Sequence, residues 1–176
     1  MQVLRAFTII SAGLLAGLLM QTGVSTANEL YVAAGLSDKA GEPNYHTRRP
    51  TLTLAFEAQR AWRFSITSGD YEHRTKLVDL KTQVYGVERI WFYNMGGNTA
   101  LMGSFGPGYF QAKVVSATTE ASGTAFGILA SGNLRVYLGK AYLDLGYHYR
   151  NAAVIINKSS FNGGYEALAL GTGLRF

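Results

Sequence analysis

The chain has no cysteine. That excludes disulfides, thiolate-bound zinc and a cysteine nucleophile. It has only three prolines, and one of them, Pro107, sits inside a strand-like run. Beyond Met20 there is no long apolar run, so a membrane-crossing helix of about 20 residues cannot be built there. Acidic residues are scarce, 11 against 16 Lys and Arg, for a formal net charge of +5. The excess is mild and scattered along the chain. A nucleic-acid binder gathers its cations into a patch or stripe, so nucleic acid is not an expected partner. Phosphate-cradling glycine loops, nucleotide motifs and metal-spaced His/Asp/Glu clusters are missing too. No cofactor and no metal are expected.

What is present begins with "MQVLRAFTIISAGLLAGLLMQTGVSTA". One early cation, Arg5, precedes an uncharged apolar run from Ala6 to Met20. Small residues follow, Ser25, Thr26 and Ala27. This is the pattern of a secretory signal cleaved after Ala27. Residues 1–27 are expected to be removed, leaving one domain over 28–176.

The remainder is rich in glycine and tyrosine and alternates with a period of two. That composition suits strands rather than helices. Eight strands are expected. Leu30, Val32, Ala34 and Leu36 mark the first, Leu52, Leu54 and Phe56 the second, and Trp62, Phe64 and Ile66 the third. The fourth, Val84 to Tyr93, puts Glu88 and Arg89 on opposite faces, which suggests a bulge or a reach beyond the apolar band. The fifth, "TALMGSFGPGYFQAKVV", carries Pro107 between two glycines. A kink is expected there, with a change of phase from outward Leu101, Gly103 and Phe105 to outward Phe110, Ala112 and Val114. Ile128 to Leu138, Leu143 to Tyr149, and "GYEALALGTGLRF" complete the set.

Short connections near "EAQRA", "NMGGN" and "GK" alternate strictly with four long ones. In an up-and-down barrel this places every tight turn at one end. Bacterial outer-membrane barrels have short periplasmic turns and long external loops. Trp62, Trp91, Tyr93, Tyr109, Tyr147 and Tyr149 lie near strand ends, as interfacial girdles do. The expected fold is therefore all-β: an eight-stranded antiparallel up-and-down transmembrane β-barrel in the bacterial outer membrane. Its last strand should pair with "NELYVAAGLSD" so that no edge remains.

Three groups of residues are candidates for a site. Arg63, Arg135, Asp144, His148, Arg150 and Arg175, with Glu29 and Glu57, would share a narrow lumen. Charges in such a space must be paired, and an eight-stranded barrel has room for side chains but not for a channel. Lys39, Arg48, Arg49, Arg74 and Lys76 would stand on the external rim, where lipopolysaccharide phosphates lie. His46 and His73 fall in the same long loops. Finally, "AAVII" (152–156) would extend the seventh strand or give an apolar patch for a partner.

The tail "YLDLGYHYRN…GGYEALALGTGLRF" resembles the last hairpin of small outer-membrane barrels of the OmpA/OmpX type. The matching pieces are Gly146-Tyr147-His148-Tyr149 and Gly173-Leu174-Arg175-Phe176. The resemblance implies that Phe176 is a signal for the barrel-assembly machinery. It identifies an architecture and says little about activity. The role expected here is structural or interactive at the envelope (membrane integrity, lipopolysaccharide contact or adhesion), for a monomer in contact with outer-membrane lipid and lipopolysaccharide. A weaker resemblance is to the lipid A deacylase barrels, whose pattern is His-x-Ser-Asn followed by Glu. Here His148, Asn151 and Glu166 match, but Arg150 stands at the nucleophile position, and arginine cannot attack an ester. Parity also sends His148 inward and Glu166 outward. No catalytic residue is therefore expected, and Glu166, a carboxylate on the lipid side at the outer rim, is costly there unless it reaches the headgroups or finds a partner.

Overall fold

The computed structural model describes residues 27–176, without the side chains of Ser37, Asp38 and Lys39. The expected signal segment, apart from Ala27, lies outside the described residues. Eight strands close a barrel. They are β1 (Glu29–Ala40), β2 (Tyr45–Ala58), β3 (Trp62–His73), β4 (Val78–Gly96), β5 (Thr99–Ser116), β6 (Glu120–Leu138), β7 (Ala141–Asn151) and β10 (Tyr165–Arg175). β8 (Ala153–Ile156) and β9 (Ser159–Asn162) form a hairpin that continues β7 and β10 in the same register.

Each barrel strand pairs antiparallel with its neighbours, and β10 pairs with β1 as expected: Leu30 opposes Leu174 and Ala34 opposes Leu170. The seam is tied off where Asn28 and Phe176 exchange backbone hydrogen bonds of 3.1 and 3.0 Å. Closure matters because an open strand edge would invite pairing with another chain. The tight turns all fall at one end, between β2 and β3, β4 and β5, and β6 and β7.

The outer wall is apolar. Leu54, Phe64, Leu134, Leu145, Leu170 and Leu174 are among its exposed side chains. Such a surface has no place in water but matches hydrocarbon. The expected aromatic residues all stand on this face. Thr172, the polar exception on β10, donates its hydroxyl to the Tyr142 carbonyl at 2.9 Å. The small inward residues of β10 have a specific purpose. The rings of Tyr31 and Tyr142 stack with centroids 6.3 Å apart. Tyr31 lies so close to Gly171 that an added Cβ would come 2.5 Å from its Cε2.

Several expectations are corrected. The fifth strand neither kinks out of register nor changes phase at Pro107. Its pairing with β6 runs unbroken from Thr99–Val136 to Val115–Glu120. Pro107 takes an ordinary outward strand position, and Gly106 beside it lets the backbone of Val87 approach. Phe110 and Ala112 are therefore buried in the lumen, and Val114 packs against the same core. β4 has no bulge at Glu88 and Arg89 either. Its register with β3 is continuous there, Glu88 points inward and Arg89 outward. The expected extension of β7 by "AAVII" is present: β8 and β9 keep the register of β7 and β10, Gly163 N–H donates to the Ala152 carbonyl at 3.0 Å between them, and Val154 and Ile156 continue the inward parity and are buried. The strands also reach further than the sequence suggested, so His46, Arg48 and Arg49 lie in β2 and His73 in β3.

Candidate functional site

The lumen is built in two storeys. Toward the tight turns it is ionic. Inward parity on β1, β2, β3, β6 and β7 brings Glu29, Glu57, Arg63, Arg135 and Asp144 together, all buried. Arg135 sits at the centre. Its guanidinium donates to Glu57 at 2.8 and 3.1 Å, to Asp144 at 2.8 Å, and to Glu29. Its flat face covers the Tyr142 ring at 3.8 Å from the centroid. Arg63 donates to the same Glu57 at 2.5 and 3.0 Å. Only arginine has enough donors in a planar fork to bridge three carboxylates at once.

A second arm runs through Glu88. It accepts from Ser104 at 2.6 Å, and Arg150 lies 3.5 Å away. Ser104 and Ser131 are 2.7 Å apart, and Arg63 reaches Ser131 at 3.3 Å, joining the two arms. Arg60, from the β2–β3 turn, approaches Glu29 at 3.6 Å. Among the described residues, four buried carboxylates (Glu29, Glu57, Glu88, Asp144) therefore face four guanidiniums (Arg60, Arg63, Arg135, Arg150). The formal charge of the cluster is zero. His148 is buried against Asn133 at 3.4 Å. Arg175 is not in the cluster. It lies at the tight-turn end, over the Tyr137 ring at 5.3 Å, near the Gly139 carbonyl.

Sequence reading missed Glu88 and Arg60. Glu88 was legible: Gly86, Glu88 and Ile90 keep strict inward parity. Arg60 was not, because it reaches the lumen only through a left-handed backbone (φ 52°) in a turn.

Toward the long loops the lumen is apolar. Tyr45, Tyr71, Leu80, Phe110, Leu129 and Tyr165 are buried there in one cluster. The β8–β9 hairpin continues the wall beside them and turns Val154, Ile156 and Phe161 onto the same cluster. Its two-residue turn uses Asn157 and Lys158 in left-handed conformation (φ 49° and 67°), the geometry that matches strand twist. Val154 is fully buried and Ile156 nearly so, while Ile155 on the other face is 67% exposed. The hairpin is joined to the β1–β2 connection where Asn162 N–H donates to Glu42 at 2.6 Å and Gly41 N–H to the Gly164 carbonyl at 2.9 Å.

The expected rim cations are dispersed. Arg48 pairs with Asp79 at 2.6 Å and Arg49 approaches Asp70 at 3.9 Å. Arg74 and Lys76 are exposed in the β3–β4 loop. The Lys39 side chain lies outside the described residues. His73 holds that loop by accepting hydrogen bonds from the Thr75 and Lys76 N–H groups, each at 3.2 Å. His148 and Glu166 do not converge. Cross-strand partners Ala167 and His148 point inward, while Glu166 is on the outer face and accepts from Tyr147 Oη at 2.8 Å. Arg150, at the nucleophile position of the deacylase pattern, donates to the Ala130 and Tyr149 carbonyls. Asn151, the last residue of that pattern, donates to Tyr149 Oη at 3.0 Å.

No family model matches the chain, and no curated protein does. Solved structures do. Neisserial surface protein A (NspA) is 17% identical, with a TM-score of 0.64 over 88% of this chain and 100% of that one. The N-terminal barrel domain of Pseudomonas aeruginosa OprF is 10% identical, with a TM-score of 0.57 over 86% and 98%. OprG of the same organism is 11% identical, with a TM-score of 0.56 over 89% and 99%. At these identities the likeness concerns architecture, which many activities share. The chain has the fold of the small eight-stranded outer-membrane β-barrels.

Proposed function

We propose that this protein is exported, through a signal over residues 1–27, to the bacterial outer membrane. There it acts with its wall and its external rim rather than through its lumen. The observation that carries this reading is the double seal: a charge-neutral ionic cluster under an apolar core. A lumen closed twice suits a rigid scaffold for envelope integrity, lipopolysaccharide contact or adhesion, and it suits a conduit poorly. Assembly directed by Phe176 and a monomeric state complete the reading. The long loops are taken to face outward.

Two measurements test it together. Fractionation of cells should place the full chain in the outer membrane, with the 152–164 segment open to protease on intact cells. The purified barrel in planar bilayers should leave the conductance at baseline. Steady channel openings would replace this reading with a conduit.

A further inference from the structure

The outer wall between β2 and β6 has an order that neither the fold nor the sealed lumen requires. Leu54, Ile66, Tyr85, Tyr109 and Phe126 oppose one another in succession across five strands. The rings of Tyr85 and Tyr109 lie 6.4 Å apart, and those of Tyr109 and Phe126 5.5 Å. A parallel row, Phe64, Val87 and Pro107, runs two residues nearer the tight turns. Between the rows is an apolar valley of about 510 Å³, floored by Ser65, Gly86 and Gly108. From Leu54 to Phe126 it crosses four strand spacings, roughly 19 Å. One leaflet's share of the hydrocarbon core is about 15 Å, so the valley is as long as one inclined acyl chain.

Above this valley the wall turns polar in an unusual way. Gln83 opposes Gln111, and in the next outward position Lys81 opposes Lys113. Like charges directly opposite each other destabilise a sheet. Lys113 pairs with Glu120 at 2.6 Å, but both groups are exposed, and such pairs hold weakly. Lys81 is exposed and in no ion pair among the described residues; Asp70 opposes it on β3 and turns to Arg49 at 3.9 Å. The pair stands four residues beyond Tyr85, roughly 13 Å along tilted strands and about 10 Å in height. That is headgroup height.

We propose that Lys81 and Lys113, with Gln83 and Gln111 beneath them, bind a phosphate monoester of an outer-leaflet lipid. One acyl chain of that lipid lies in the Tyr85–Tyr109–Phe126 valley. Two cations about 5 Å apart at their Cα atoms match a group carrying nearly two negative charges. A phosphodiester carries one. The chemistry therefore selects the phosphorylated glucosamine lipid of lipopolysaccharide over a phosphodiester lipid such as phosphatidylglycerol. The glutamine amides add neutral donors to the phosphate oxygens. This inference rests on the outer-membrane reading and names one lipid site within it.

The test is native mass spectrometry of the full folded chain in detergent, titrated with bis-phosphorylated lipid A. Phosphatidylglycerol and inorganic phosphate serve as competitors. Lipid A should bind at one saturable site, and neither competitor should displace it at equal concentration. The K81Q/K113Q variant should bind about 30-fold more weakly, and K81R/K113R should bind like the wild type. Heat-modifiable gel migration shows that each variant is folded. Unchanged lipid A binding by folded K81Q/K113Q overturns the site and leaves the outer-membrane reading standing. Displacement by phosphatidylglycerol or by phosphate overturns the monoester or the acyl part, respectively. A wild-type chain missing from the outer membrane overturns the broader reading instead.

Discussion

Tyr147 donates its hydroxyl hydrogen to Glu166 across the β7–β10 pair, at 2.8 Å on the outer face of the barrel. The two are diagonal neighbours: Tyr147 opposes Leu168, and Glu166 opposes Tyr149. The bond accounts for a carboxylate on a wall that otherwise meets lipid. It is charge-assisted but near the rim, so it should contribute about 1 kcal/mol. Y147F should therefore lower the unfolding free energy by about that amount in a denaturant titration. E166Q should cost less, since the amide oxygen still accepts. A double-mutant cycle of the two showing no coupling would dismiss the interaction.

Most of this barrel could be read from alternation alone. Leu168, Leu170 and Leu174 point to lipid because a strand side chain must alternate, and the chain closes on β1 as the pattern required. The inward placement of Arg63, Arg135, Asp144, His148 and Arg150 follows the same rule. What was not legible comes from physics that alternation does not carry. Pro107 looked like a break because proline lacks a donor, yet a ladder can lose one hydrogen bond and keep its register. The resulting phase error hid the apolar storey, since it turned Phe110 and Ala112 outward. The β8–β9 hairpin was legible in part: Val154 and Ile156 keep the inward parity of His148 and Arg150, as an extension of β7 requires. The Tyr147–Glu166 bond lies between diagonal neighbours and needs the register itself.

The unbroken phase of β5 can be tested directly because the chain has no cysteine. Single cysteines at 109, 110, 111 and 112 should react alternately with a bulky thiol reagent on the folded protein in detergent. Y109C and Q111C should label readily, and F110C and A112C should stay protected until unfolding. F110A should also destabilise the barrel by about 3–5 kcal/mol, because it empties a fully buried ring position. F126A, on the exposed side of the neighbouring strand, should cost far less. Labelling at 110 and 112 in place of 109 and 111 would restore the phase change at Pro107.

Arg135 bridges Glu57, Asp144 and Glu29, so its removal leaves three buried carboxylates short of their shared cation. Breaking a buried charge network from one side costs about 3–5 kcal/mol. R135M should lower stability by that order in urea-induced unfolding from lipid vesicles. Neutralising Asp144 as well, as D144N on the R135M background, should recover part of the loss, since three carboxylates then face three guanidiniums. If this double variant is less stable than R135M alone, the cluster is held by its hydrogen-bond geometry rather than by charge balance.

The inward side chains of the β8–β9 hairpin and the ionic cluster fill the lumen independently, toward opposite ends. Deleting 153–162 and joining the ends with a short Gly/Ser linker removes Val154 and Ile156 from the apolar storey. It also removes the Asn162–Glu42 strap. The barrel pairing does not involve β8 or β9, so the variant should still fold and keep heat-modifiable migration. Its thermal stability should fall, as two buried aliphatic side chains and their packing are lost, worth about 3–6 kcal/mol together at most. Conductance should nevertheless stay at baseline, because Arg135, Glu57 and Asp144 still fill the section below. Planar-bilayer recording of this deletion beside R135M combined with it separates the two seals. Openings in the deletion alone would mean that the ionic cluster is permeable. Openings only in the combined variant would show that each seal suffices without the other.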